Sequence, residues 1–194
     1  VEPPAEHRGR PVVVARSVGE WRQWLADHGD ASPAVWLTVW KQSTDPELLR
    51  YDDVIDEALC WGWIDSTVNR WDDDCYLLLV ARRKPGSVWS APNKARVARL
   101  VAEGRMRPGG LAAVERAQAD GSWSRFDAVE ALEEPDDLRR CLDADPSLRA
   151  AWDATTPGRR KQVLGSLELA RTATTRNRRL EQALAALAEG RPQT

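Results

Sequence analysis

Cys75-Tyr76-Leu77-Leu78-Leu79-Val80-Ala81-Arg82 is the stretch that decides the fold class. Its seven leading residues form the longest unbroken apolar run of the chain. A membrane-spanning helix needs about 20 such residues, so no transmembrane segment is expected. A short apolar run behind the turn Asp72-Asp73-Asp74 reads as a strand, and residues 61–71, which alternate loosely, read as its hairpin partner. Upstream, residues 34–41 (Ala-Val-Trp-Leu-Thr-Val-Trp-Lys) are β-branched and aromatic on both faces and read as an inner strand. Residues 11–15 add a further strand.

Helices surround these strands. Ser17-Val18-Gly19-Glu20 is a capping box, followed by Trp21, Trp24, Leu25 and His28 on one face and a stop at Gly29. Residues 51–60 place Val54, Ile55, Ala58 and Leu59 on one helical face. After residue 90 the period becomes helical throughout, with Leu111 and Val114 marking one helix. Pro135, Pro146 and Pro157 stand where a first helical turn tolerates proline, the last two behind the N-cap candidates Asp145 and Thr156. The last helix carries Leu180, Leu184 and Leu187. The chain therefore reads as α+β, a small antiparallel sheet in the N-terminal half packed against a helical C-terminal half. The expected organisation is a partly disordered start over 1–16, an α+β core over 17–107 and a helical region over 108–194 on the same core.

At 194 residues the chain is long enough to bury a core without disulfide or metal staples. Its net charge of −2 hides segregation, with sums of −8 over 1–81, +7 over 82–107, −6 over 108–156 and +5 over 157–194. Basic blocks of this kind either form basic faces or brace acidic elements. Cys60, Cys75 and Cys141 include no CxxC pair, which fits a reducing compartment, the cytoplasm. The start has no apolar core of the secretory kind, and its valine in place of methionine leaves room for a removed leader. Only His7 and His28 exist, so histidine-based metal sites or triads are disfavoured. No Walker loop, Rossmann fingerprint, HExxH or EF-hand spacing occurs, and no cofactor or metal is expected.

Two stretches carry candidate chemistry. From Arg82 to Arg105, a strand ends in Arg82-Arg83-Lys84, a Pro-Gly turn follows, and Ser90 stands before a helix with Pro92 in its first turn. Helix N-termini attract phosphate, sulfate or carboxylate. Ser87, Ser90 and Asn93 add neutral donors, while Arg96, Arg105 and, from the C-terminal block, Arg176 and Arg179 add charge. The competing reading is that these arginines brace the acidic stretches 52–56 and 72–74. In Trp61-Gly62-Trp63-Ile64-Asp65, strand alternation puts Trp61, Trp63 and Asp65 on one face, where they can hold a flat or cationic ligand with Trp89 as a further wall. The competing reading makes the two tryptophans core and Asp65 a turn or arginine partner. Cys60 lies between Leu59 and Trp61 and reads as a buried, inert thiol.

Several strings resemble one family. Leu59-Cys60-Trp61-Gly62-Trp63-Ile64-Asp65-Ser66 resembles its Leu-Cys-Phe-Gly-Trp-Ile-Asp-Gly signature. Arg82-Arg83-Lys84-Pro85-Gly86-Ser87-Val88-Trp89-Ser90, with Asn93, Arg99-Leu100 and Gly104-Arg105-Met106, resembles its second block. Ala170-Arg171 and Thr175-Arg176-Asn177-Arg178-Arg179-Leu180 resemble its C-terminal block. The family is the bacteriocin-protection, YdeI/OmpD-associated family, and the resemblance runs from about Trp21 to Gly190. Trp61, Ser66 and Thr172-Ala173-Thr174 depart from the usual residues. The resemblance implies protection against bacteriocins and stress, without implying a defined chemical activity.

Three functional readings follow. The first is a non-enzymatic protein that binds an anionic small molecule or an acidic protein surface through the arginine and tryptophan groups. The second is a small-molecule enzyme with Asp65 as acid or base and arginine clamps. The third is a binder of single-stranded nucleic acid, to which tryptophan and arginine are suited and the negative net charge is not.

Overall fold

The computed structural model describes residues 3–41 and 48–190. The chain divides into two compact units, one of residues 1–88 with 92–123 and one of residues 89–91 with 124–194.

The first unit holds β1 (Glu6–His7), β2 (Arg10–Val13), α1 (Val18–His28), β3 (Ala34–Trp40), α2 (Tyr51–Cys60), β4 (Trp63–Arg70), β5 (Cys75–Arg82), most of α3 (Ala91–Ala102) and α4 (Pro108–Ala119). The five strands lie in the order β1-β2-β3-β5-β4. β3 is buried from Ala34 to Val39, as a strand apolar on both faces requires, and pairs antiparallel with β5 from Ala34↔Ala81 to Trp40↔Cys75. β4 and β5 form the expected hairpin, interrupted by a register shift between Asp65 and Val68. The Asp72 carboxylate fixes the turn, with Oδ1 accepting from Asp74 N and Cys75 N, both at 2.9 Å. The sheet differs from a purely antiparallel one in a single pair. β2 runs parallel to β3, with α1 as the crossover that a parallel pair demands.

α1 begins where the sequence places it. Ser17 Oγ accepts from Glu20 N at 3.2 Å, while the Glu20 carboxylate reaches back to Arg16 N at 2.8 Å. Trp21 is fully buried and its Nε1 donates to Val54 O, tying α1 to α2. His28 stacks on Trp24, which stacks on Trp21, and Trp63 meets both tryptophans edge-on. α4 turns an unexpected face inward. Gly110, Ala113 and Ala117 are buried, while Leu111 is exposed. Small residues win there because the backbones touch: a Cβ on Gly110 would stand 2.2 Å from Cys60 O, and one on Gly62 would stand 2.6 Å from Gly109 O.

The second unit contains α5 (Asp127–Glu130), α6 (Asp136–Ala144), α7 (Pro146–Asp153), α8 (Pro157–Glu168) and α9 (Ala173–Ala188). Its core gathers Leu138, Leu142, Trp152, Leu164, Leu167, Leu180 and Leu187, with Leu184 partly buried against it. Asp145 caps α7 through Ser147 N and Leu148 N, and Pro146 and Pro157 open their helices. Thr156 precedes α8 without a side-chain cap bond, and Pro135 occupies the N-cap position of α6 rather than its first turn. Among the described residues, no helix is long and apolar enough to cross a membrane.

Candidate functional site

The basic block of the first unit meets an acidic helix. α2 carries Asp52, Asp56 and Glu57, one helical turn apart or adjacent, and α3 presents Arg96 and Arg99 to them. Arg96 donates to Asp52 Oδ1 at 2.5 Å and to Asp56 Oδ1 at 3.0 Å, and Arg99 donates to Asp56 Oδ2 at 2.6 Å. Arg105 donates to Glu57 Oε1 at 2.6 Å, and Arg22 of α1 grips both Glu57 oxygens at 2.8 and 3.0 Å. Burial pushes the Glu57 carboxyl up, but the hydrogen bonds from Arg22 and Arg105 outweigh it and hold the group below its ordinary value. These arginines brace α2, the use that the acidic stretch 52–56 allowed. Nearby Cys60 is buried, and burial together with the Glu57 charge pushes its thiol up to about 11. A thiol kept protonated is a poor nucleophile.

Asp65 lies on β4 in a different setting. The phenol of Tyr51, at the first position of α2, donates to Asp65 Oδ2 at 2.9 Å. Burial, then this hydrogen bond and the Asp65 charge, push the Tyr51 phenol up to about 12. Tyr76 of β5 is also raised, by burial and then by the charges of Asp65 and Asp52. Of the chain's two tyrosines, Tyr51 is hydrogen-bonded to this carboxylate and Tyr76 is raised in part by its charge. Arg83 belongs to the same surroundings. Burial pulls its guanidinium down to about 10 while the Asp65 charge works the other way, and its Nη1 donates to Val88 O at 3.2 Å. Asp65 thus accepts from a phenol, where an arginine was the alternative, and the Arg83 guanidinium that feels its charge donates to Val88 O.

The remaining residues singled out in the sequence fall as follows. Trp63 is 1% exposed and packs with Trp21 and Trp24, so it is core. Trp61 is half-buried, with an indole N–H that has no hydrogen-bond partner among the described residues. Arg82 is exposed and donates to Asp30 O at 2.8 Å. Ser87 closes the turn through a bond from its N–H to Lys84 O at 3.1 Å, and Asn93 is half-buried in the first turn of α3. Trp89 and Ser90 belong to the second unit, the former buried. Within that unit, Ala91 N at the start of α3 donates to Glu130 Oε1 at 3.3 Å, and Lys161 holds Glu130 Oε2 at 2.6 Å. A carboxylate of the chain itself therefore occupies the helix N-terminus where an anion was expected. Arg176 is bidentate to Asp137 at 2.6 and 2.9 Å and also meets Leu167 O, and Arg179 donates to Ser166 O.

Tyr51 and Tyr76 carry no motif that marks them in the sequence. Their scarcity is the only signal, and it gains meaning once α2 brings Tyr51 to Asp65. His7, assigned to a disordered start, is instead packed edge-on against Trp36 and Trp71, with Asn69 Nδ2 at 2.5 Å from its Nε2. No group of three or more His, Cys, Asp or Glu among the described residues could hold a metal ion.

Two family models match the chain. One is described as a domain of unknown function, DUF8412, and covers residues 13–113. The other is described as bacteriocin-protection, YdeI or OmpD-associated, and covers residues 131–190. The second is the family that the motifs resemble. Its matched segment holds the C-terminal strings, while those around residues 59–66 and 82–106 lie under the first. No curated protein and no solved structure gives a match.

Proposed function

Starting from a chain that belongs to the DUF8412 family and carries a bacteriocin-protection segment behind that domain, we propose a non-enzymatic ligand-binding protein that acts in stress tolerance, with its site at Asp65, Tyr51 and Tyr76. The observation that carries the reading is the hydrogen bond from Tyr51 to the partly exposed Asp65 carboxylate, whose charge also raises Tyr76. One Asp65 oxygen accepts from Tyr51, which leaves the other for a ligand. Acceptors of this kind suit a ligand that donates hydrogen bonds, an amine or amidine, with the aromatic rings as walls.

The site favours this class over the anion first considered. Arg96 and Arg105 are engaged by α2 carboxylates, Arg82 by Asp30 and Arg176 by Asp137, so these four of the guanidinium groups first considered for an anion are already taken. The inert Cys60 thiol supports binding over covalent chemistry. All three cysteines are free, which supports a reducing compartment, the cytoplasm.

Thermal-shift measurements with spermidine, ethanolamine, phosphate and citrate test the reading. A ligand at a hundred times its Kd adds about 2.7 kcal/mol of stability. The amines are expected to stabilise the protein, and Asp65→Asn or Tyr76→Phe to abolish the effect. Stabilisation by phosphate or citrate alone would return the anion reading. A turnover lost in Asp65→Asn with stability unchanged would make the protein an enzyme.

A further inference from the structure

β4 is the last strand of its sheet, and its outer edge is open. The order β1-β2-β3-β5-β4 gives it β5 as its one neighbour. Among the described residues, the backbone groups of 64–70 bond to β5 alone. Such an edge presents a row of N–H and C=O groups to another strand. Val68 stands in the middle of it, 61% exposed, more than any other large hydrophobic residue described. β1, at the opposite edge, is two residues long and offers no comparable row.

The register shift gives this edge a symmetry. Asp65 stands opposite Val80, Val68 opposite Leu78 and Arg70 opposite Tyr76. Those β5 positions are every second residue, so Asp65, Val68 and Arg70 share one face of the sheet. In a regular strand Asp65 and Arg70, an odd number of residues apart, would point to opposite faces. The bulge brings them to one face, at equal distances on either side of an exposed apolar side chain. Neither charge is fully used. Arg70 meets Asp73 at 3.4 Å with both side chains in solvent, a pairing worth little, and Asp65 receives the Tyr51 phenol on one oxygen.

We infer that β4 is the pairing edge of a homodimer, in which a two-fold axis at Val68 joins two sheets through antiparallel β4 strands. Val68 then packs on the partner's Val68, Asp65 meets the partner's Arg70, and Asn69 lies opposite the partner's bulge at Ser66 and Thr67. Asp65 and Arg70 are the only charged residues of β4, so opposite charges meet twice and like charges never do. The bulge turns the edge away from straight strands and suits a partner with the same irregularity, a second copy of the chain. The inference is independent of the amine reading, since a carboxylate has about four lone-pair sites and Tyr51 takes one. A contact one strand wide belongs at the low end of interface size, below roughly 1,200 Å², so the dimer is expected to dissociate on dilution.

Analytical ultracentrifugation of the full chain over a dilution series, with amide hydrogen exchange of residues 64–70, tests the inference. A reversible monomer–dimer equilibrium is expected, with these amides exchanging more slowly as dimer forms. Arg70→Asp sets two pairs of like charges face to face and is expected to weaken the dimer at least about tenfold. Val68→Lys, which leaves both charges in place, should weaken it by placing two ammonium groups on the axis. Both sites are exposed, so neither change threatens the fold. Asp65→Arg combined with Arg70→Asp restores opposite charges and should recover most of the lost association. A monomer at every concentration would overturn the inference and leave the edge to a strand of another protein. Assembly beyond the dimer, a dimer indifferent to Arg70→Asp and Val68→Lys, protection confined to other segments, or no recovery in the folded double variant would overturn it as well.

Discussion

Arg105 reaches the Glu57 carboxylate at 2.6 Å from 48 residues further along the chain, and Arg22 grips the same carboxylate from α1. The Glu57 side chain is 3% exposed, so its charge is tolerable only with both partners in place. Glu57→Gln is expected to cost about 2–3 kcal/mol, the range of hydrogen bonds to charged groups, read from urea unfolding. The exposed Glu103, which meets Arg99 and Arg105, offers the comparison: Glu103→Gln should change stability far less than Glu57→Gln does. Because the folded carboxyl of Glu57 lies below its unfolded value, its contribution is present above the ordinary carboxylate range and lost as pH falls through the lowered value. The wild-type protein should therefore lose stability on acidification more steeply than Glu57→Gln.

Tyr51 gives an alkaline counterpart. Its phenol is raised to about 12, so its contribution is complete below the unfolded value near 10 and lost as pH climbs through the folded one. Ultraviolet titration of Tyr76→Phe, which leaves Tyr51 alone, is expected to show ionisation well above pH 10. Asp65→Asn in that background should bring it down, since the hydrogen bond and the charge both go while burial stays.

Trp63 packs edge-on against Trp21 and Trp24 and is 1% exposed. Trp63→Ala should leave a cavity and cost about 3–5 kcal/mol by chemical denaturation. Trp24→Ala, at a half-buried site, should cost less.

Gly62 has φ +78°, and its missing side chain faces Gly109 O. Gly62→Ala is expected to cost roughly 2–4 kcal/mol, from left-handed strain and overpacking together. Gly86→Ala is the control. Its φ is +73° with nothing within 4 Å, so only the strain of about 1–2 kcal/mol applies. The difference between the two midpoints measures the close approach of α4.

Much of this architecture is legible from local chemistry. The Ser17 cap, the strand apolar on both faces at 34–40, and the acidic hairpin turn each depend on neighbours a few residues apart, and each stands where its pattern points. The α4 face was hidden because periodicity weights large residues, whereas the helix buries Gly110, Ala113 and Ala117 to let backbones meet. Which carboxylate each arginine takes was equally hidden. Arg96 with Asp52 and Arg176 with Asp137 are pairings across 44 and 39 residues, and charge blocks carry no register. Asp65 itself stands out in its motif, but Tyr51 and Tyr76 acquire a role only through the placement of α2 and β5.

The parallel pairing of β2 with β3 makes Arg10–Val13 a shield. β3, with the sequence Ala-Val-Trp-Leu-Thr-Val-Trp, carries no charge. β2 covers its side away from β5, with Val12 opposite Trp36 and Val13 opposite Leu37. A chain shortened to begin at Ser17 would bare the hydrogen-bonding edge of an uncharged, aromatic strand, a ready template for edge-to-edge association. Proteolysis of this one short segment would therefore turn a folded unit into a seed for aggregation while leaving every residue of the α2 ion network in the chain.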